Sequence, residues 1–198
     1  MNNPAQKSNR DFELIRSFQS GEKTAFDQLV IRHKDRIFNL CYRLLGDYNE
    51  ANDYAQETFI KAFKSLKGFR FESSFSTWLY RIAVNNCKNR LNSLEKRFQV
   101  KMISIETPKY TGENNPVLEI RDDSPSPANG LERKEKAVLI QTAINSLPAE
   151  QKMVIILRDI EGRSYEEIAE TTGLALGTVK SRLARGRMEL KNKLRKIL

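Results

Sequence analysis

Five aromatic residues, Phe69, Phe71, Phe75, Trp78 and Tyr80, fall within twelve positions, and Arg70 and Arg81 alternate with them. One short loop and a helix start cannot bury five rings, so some ring faces should be reachable. Exposed rings beside arginines form stacking platforms for unpaired bases, each contact worth ~1–3 kcal/mol. Taken singly, each ring is equally well explained as a core residue; the cluster points to single-stranded nucleic acid. Farther along, Arg81, Asn85, Lys88, Asn89, Asn92 and Lys96 recur at helical spacing, opposite Leu79, Ile82 and Ala83. Asparagine is a mediocre helix former. Several in mid-helix suit a face whose amides read base edges while cations hold phosphate.

A second constellation lies between Ser164 and Arg187. Ser164 with Glu167 three residues on has the form of a capping box at a helix start. Ile168 and Ala169 supply an apolar face, Gly173 a tight turn, and Gly177-Thr178 the opening of a last helix. The pattern is that of a helix-turn-helix. At 100° per residue, Val179, Leu183, Gly186, Leu190, Leu194 and Ile197 share one sector and face the core. Thr178, Ser181, Ala184, Arg185 and Met188 point away, with Lys180, Arg182 and Arg187 on the flanks. Such a helix suits a major groove: arginine pairs bidentately with guanine, hydroxyls take either partner, and flanking cations fix register on phosphates. The competing explanation is a basic amphipathic helix whose charges are merely solvated.

These side chains need elements to carry them. Periodic apolar residues predict a helix from Phe26 to Leu45 ending at Gly46, and another from Ala51 to Leu66, capped by Asp47 or Asn49 and closed by Gly68. A short segment, Phe69 to Ser76, leads into a helix opened by Ser76 or Thr77 and running to about Arg97. Beyond it come helices over Leu131 to Leu147, after Pro148, and on either side of the turn at Gly173. Strand-like alternation is absent, so the fold class is all-α. Four of six prolines, Pro108, Pro116, Pro125 and Pro127, fall between 101 and 131 and mark a flexible linker. The expected organisation is a helical domain over 11–98, a linker over 99–131 and a helix-turn-helix domain over 132–198.

The 198 residues carry a net charge of +9, which favours a polyanionic partner through counterion release. Residues 1–98 hold 17 basic against 11 acidic side chains, 99–131 hold 3 against 5, and 132–198 hold 14 against 9. Two basic modules thus flank an acidic linker, whose sign suits either plain solvation or a basic channel on a partner. No apolar run approaches the ~18 residues of a membrane span, and the polar N-terminus lacks a secretory leader, so the expectation is a cytoplasmic protein. Cys41 and Cys87 both sit in apolar helical patterns and are expected as reduced core residues. The single histidine, His33, lies near the seam of such a pattern and is expected to be structural or half-exposed. Asp53 and Glu57, one turn apart, could serve a metal-dependent nuclease or recombinase. No catalytic triad or phosphate-cradling glycine motif accompanies them, and no cofactor, bound metal or small-molecule substrate is expected.

Several motifs occur in a fixed order: Asp53-x-x-Gln56-Glu57-x-Phe59, Phe75-Ser76-Thr77-Trp78-Leu79-Tyr80-Arg81-Ile82-Ala83-x-Asn85, Leu147-Pro148, Tyr165-Glu166-Glu167-Ile168-Ala169 and Gly177-Thr178-Val179-Lys180-Ser181-Arg182. In this order and spacing the chain resembles a bacterial RNA polymerase sigma factor of the sigma-70 family, in the extracytoplasmic-function group. The resemblance runs from about Asp11 to Leu194 and implies two domains, sigma region 2 and sigma region 4.

The resemblance further implies that Asp53, Gln56, Glu57 and Phe59 dock on the clamp coiled coil of core polymerase. The non-template strand of the minus-10 element would be captured by Lys61, Ser65, Phe69, Arg70, Phe75, Trp78, Arg81, Asn85, Lys88 and Asn89, one base entering a pocket of Lys61, Ser65 and the Phe69–Phe75 segment. The minus-35 duplex would be read through Thr178, Lys180, Ser181, Arg182, Arg185 and Arg187, the linker would thread the polymerase cleft, and an anti-sigma factor would hold the protein inactive. Catalysis would belong to the polymerase. Gly186 stands where relatives more commonly carry Ala and is expected to soften its helix by up to ~1 kcal/mol. The alternative is a stand-alone helix-turn-helix regulator, which leaves the Phe69–Trp78 cluster and the Gln56-Glu57 face unemployed.

Overall fold

Leucine, isoleucine and phenylalanine at three- and four-residue steps are buried together most readily by helices. In the computed structural model, the described residues, 4–103 and 138–195, form helices and connecting turns without a strand. The first module contains α1 (Pro4–Gln19), α2 (Thr24–Leu45), α3 (Tyr48–Ser65) and α4 (Phe75–Ile103). The second contains a helical stretch at 138–145, then α5 (Ala149–Ile155), α6 (Tyr165–Thr172) and α7 (Leu176–Leu194). Residues 104–137, which hold most of the expected linker, lie outside the described residues, as do Ile197 and the side chains of Asn92 and Lys96.

Local chemistry fixes the ends. Asp47 caps α3 by accepting from the Glu50 amide at 2.8 Å, and a 3-10 turn, Leu66–Gly68, closes that helix. Gly46 ends α2 at φ 80° and donates its amide to the Tyr42 carbonyl. A Cβ on Gly46 would stand 2.6 Å from Asn145 Nδ2, so this glycine also lets the 138–145 stretch approach. Two boundaries differ from expectation. The Thr77 amide donates to Ser74 Oγ, so α4 opens at Phe75 rather than Ser76 or Thr77, and it continues to Ile103, into the segment read as linker.

Helix α1 was not foreseen. Its apolar strip is narrow, yet Ile15 and Phe18 are buried against α2, and Gln19 Nε2 donates to the carbonyls of Leu66 at 3.2 Å and Phe69 at 2.9 Å. It therefore clamps the loop before α4. His33 is buried, and its Nε2 lies 2.9 Å from Asp11 Oδ2, while Arg32 Nε donates to Asp11 Oδ1 at 2.9 Å. Burial works to raise the Asp11 carboxyl, but the His33 and Arg32 contacts override it and hold the group below its ordinary value.

The two modules share one hydrophobic core. Val154, Ile156 and Leu157 of the second join a cluster with Leu79, Val84 and Cys87 of α4 and Leu44 of α2. Fully burying each such aliphatic contributes ~1.5–3 kcal/mol. After α5 the chain continues as a π turn, Ile156–Ile160, closed by the Glu161 amide on the Ile156 carbonyl at 2.9 Å. Glu161, just past that turn, reaches the first module.

Candidate nucleic-acid interface

The aromatic cluster is more deeply packed than its sequence predicts. Phe69 and Phe75, expected among the base-contacting rings, are only 7% and 4% exposed, and Tyr80 is also buried. The physical reason is that the rings pack on one another and, for Phe75, on His33 of α2, a wall the loop alone could not supply. Phe69 packs edge-on against Trp78 with centroids 5.2 Å apart and against Phe71 at 5.0 Å, while Phe75 meets His33 at 5.2 Å. Phe71 and Trp78 keep partly exposed faces. Phe71 adopts φ 60°, an unusual state for a bulky side chain, and lies 4.7 Å from Phe12, over which the Arg16 guanidinium sits at 4.9 Å. A hollow of about 930 Å³ opens between α1, α2 and this loop, lined by Phe12, Arg32, Arg36, Phe69, Phe71 and Phe75 among others. Lys61 and Ser65, expected to share a base pocket with this loop, do not line it.

Along α3 and α4, the expected polar residues form an open surface. Arg70, Arg81, Asn85 and Asn89 are exposed and Lys88 is half-buried. Ser65 is exposed, its hydroxyl bonded to the Lys61 carbonyl at 2.6 Å. Lys61 pairs with Glu57 at 2.8 Å and donates to Asn86 Oδ1 at 2.5 Å. Asp53, Gln56 and Glu57 are exposed on α3, and Phe59 is partly buried. Among the described residues no group of three or more His, Cys, Asp or Glu side chains could hold a metal ion.

The second module carries the helix-turn-helix in the expected order. Ser164 Oγ accepts from the Glu167 amide at 3.1 Å and Glu167 Oε2 from the Ser164 amide at 2.8 Å, closing the capping box. Gly173 takes φ 71° in the turn, and α7 opens at Leu176, one residue before the expected Gly177. Val179, Leu183 and Gly186 face inward. A Cβ on Gly186 would meet Ile155 Cδ1 at 2.8 Å and Gln151 Cβ at 3.2 Å, so this glycine permits a close α5–α7 crossing. Lys180, Ser181, Ala184, Arg185 and Met188 are exposed, and Thr178 is partly so. Two of the expected phosphate-holding arginines are engaged within the chain: Arg182 pairs with Glu150 at 2.7 Å, and Arg187 Nε donates to Asp159 at 3.0 Å. Arg185 makes no ion pair among the described residues.

Charged groups join the modules at the start of α4. Glu161 accepts from the Tyr80 hydroxyl at 2.7 Å and from Arg43 Nη1 at 2.5 Å. Arg163 lies 4.3 Å over the Tyr80 ring and donates to Ser76 Oγ at 2.9 Å. Burial, assisted by Glu161, pushes the Tyr80 hydroxyl up to about 12. Lys152, on α5, is 4% exposed, and burial lowers its amine to about 8. Nearby, the Cys87 thiol is raised, first by its hydrogen bond with Cys41 and then by burial; both cysteines are free and buried. A thiol so placed is an inert core group.

Comparison with known proteins agrees with this geometry. Residues 29–97 match the family model "Sigma-70 region 2" and residues 137–190 match "Sigma-70, region 4". The chain is 38% identical over 188 residues to the ECF RNA polymerase sigma-E factor of Haemophilus influenzae, covering 95% of this chain and 97% of that one. It is 36% identical over 189 residues to the RNA polymerase sigma-H factor of Pseudomonas aeruginosa, covering 96% of each. Among solved structures, the sigma factor RpoE of Bartonella quintana in complex with the anti-sigma factor NepR aligns at TM-score 0.60 and 26% identity, covering 86% of this chain and 96% of that one. CnrH in complex with the cytosolic domain of CnrY, 24% identical with TM-score 0.64 over 94% of this chain and 98% of that one, shares the fold.

Proposed function

The chain belongs to the extracytoplasmic-function sigma factors of bacterial RNA polymerase, and from that premise we propose a division of labour between its modules. The protein binds core RNA polymerase, recognises promoter DNA and directs transcription initiation. The observation that carries this is the occurrence of both sigma regions, in order, in one chain. The first module, 11–98, meets the polymerase clamp through Asp53, Gln56, Glu57 and Phe59 and takes the melted minus-10 strand along Lys61, Ser65, Arg70, Trp78, Arg81, Asn85, Lys88 and Asn89. Exposure of most of these residues supports the assignment. Phe69 and Phe75 contribute from beneath, shaping the loop that presents Arg70 and Phe71.

The second module, 132–198, reads the minus-35 duplex with Thr178, Lys180, Ser181 and Arg185, while Arg182 and Arg187 exchange their carboxylates for phosphates. Linking the modules through 99–131 makes the second DNA contact intramolecular. Catalysis stays with the polymerase, and the protein acts in the cytoplasm, under the hold of an anti-sigma factor. No helix among the described residues is long and apolar enough to cross a membrane.

Run-off transcription with core polymerase on a randomised promoter library tests this. Transcripts that depend on the added protein and share two spaced elements are expected. Specific duplex binding by the protein alone, with no dependent transcript, would leave only a stand-alone regulator.

A further inference from the structure

Where α3 meets α4, a buried amide ties the two helices together. Asn86 is 6% exposed, and its two polar atoms face different partners. Thr58, fully buried on α3, donates its hydroxyl hydrogen to the Tyr54 carbonyl at 2.7 Å, so its oxygen is left to accept. It accepts from Asn86 Nδ2 at 3.1 Å. That fixes the amide's orientation and turns Oδ1 toward Lys61 Nζ at 2.5 Å. The flipped amide would set an NH2 group against an ammonium, two donors facing one another.

The other partner of Lys61 holds it less firmly. Its pair with Glu57 spans one helical turn, and the two side chains are 50% and 48% exposed, the setting in which ion pairs contribute little. A hydrogen bond from a charged group to a buried, oriented acceptor is the stronger restraint. Lysine is otherwise a flexible stem that loses much rotamer freedom when ordered. Resting on the assignment of Lys61 to the melted strand, we propose that Asn86 is a positioning residue: braced by Thr58, its carbonyl oxygen holds the Lys61 ammonium at the α3–α4 junction, ready for one unpaired nucleotide. Asn86 itself touches no DNA. Glu57, on the surface assigned to polymerase, shares the same ammonium, so occupation of Glu57 by the clamp leaves Asn86 as the holder of Lys61 when the strand arrives.

The test uses holoenzyme and a fork-junction DNA pool whose non-template strand is randomised across the melted segment, with bound molecules sequenced. Lys61→Met is expected to reduce base selection by about tenfold at one position. Asn86→Leu should reduce selection at the same position by a similar factor, and the double variant should fall no further than either single one. Thr58→Val keeps the shape but removes the brace and should also reduce selection at that position, which serves if the leucine variant fails to fold. Additive losses in the double variant, undiminished selection in a folded Asn86→Leu protein, or undiminished selection in a folded Thr58→Val protein would each overturn the proposal. If Lys61→Met alone changes nothing at any position, the assignment of Lys61 falls, and the positioning role with it; promoter-dependent transcription by the wild type would still stand.

Discussion

Gly186 shows how a single residue's meaning depends on its neighbour across the core. Helix propensity alone favours alanine there by up to ~1 kcal/mol. The crossing with α5 opposes it, because an added methyl would sit 2.8 Å from Ile155 Cδ1, and Ile155 is itself 1% exposed with little room to yield. Overpacking a closed core costs ~1–3 kcal/mol, so Gly186→Ala should lower stability by about 1 kcal/mol net. Thermal denaturation checks this, and Ile155→Val, which removes the clashing carbon, should restore the loss in the double variant. A stabilised Gly186→Ala protein would contradict the close crossing. The glycine's place on the inner face was legible in the last helix's periodicity; the atom it avoids was not, because Ile155 lies on a different helix. Asn86 went unread for a similar reason: its importance comes from Thr58 and Lys61, 28 and 25 positions away along the chain.

At the level of elements, the long apolar periodicities, the Asp47 cap and the Ser164–Glu167 capping box could be read directly, since each is set by residues within a few turns of one another. Helix α1 could not, because Leu14, Ile15 and Phe18 make too narrow a strip until α2 and the loop before α4 are in place. Phe69 and Phe75 looked exposed because His33 of α2, against which Phe75 packs, lies some forty positions away along the chain. The inward face of α7, with Val179, Leu183 and Gly186, was read correctly, but its flanking arginines were read without their carboxylates. Asp159 holds Arg187 and Glu150 holds Arg182, so on the proposed reading duplex DNA would have to displace these carboxylates. Asp159→Asn should therefore tighten non-specific duplex binding and steepen the dependence of log K on log salt by about one phosphate contact. A salt titration of duplex binding measures it, and an unchanged slope would show that Arg187 stays off the backbone. Arg185, exposed and without an ion pair among the described residues, is the proposed carrier of sequence information instead. Arg185→Ala should reduce discrimination at one base pair of the upstream element by ~1–3 kcal/mol while leaving the salt slope nearly intact. Undiminished preference in a competition assay would remove it from the reading surface.

In the whole molecule, opposing forces meet where the modules pack. The shared core and the Glu161 contacts with Tyr80 and Arg43 hold α5 and α6 against α4. Lys152 works the other way, because its amine is buried in that core and lowered from 10.5 to about 8. Below pH 8 the folded chain carries this buried ammonium at a cost of about 3 kcal/mol, taken from the size of the shift. Between 8 and 10.5 the unfolded chain keeps a proton that the folded chain has released, so the penalty fades as pH rises through that window. Lys152→Met keeps the volume and removes the charge. It should raise the melting temperature by several degrees at pH 7, and the gap from wild type should narrow steadily toward pH 10. Tyr80 is common to both proteins, and the Cys41 contact together with burial keeps the Cys87 thiol protonated in both, so the difference follows the lysine. A gap that stays constant with pH, or a variant that melts lower than wild type, would mean that Lys152 does not bring a desolvated charge into the core. A narrowing gap would show that the packing of one module on the other is held below its full strength by one residue.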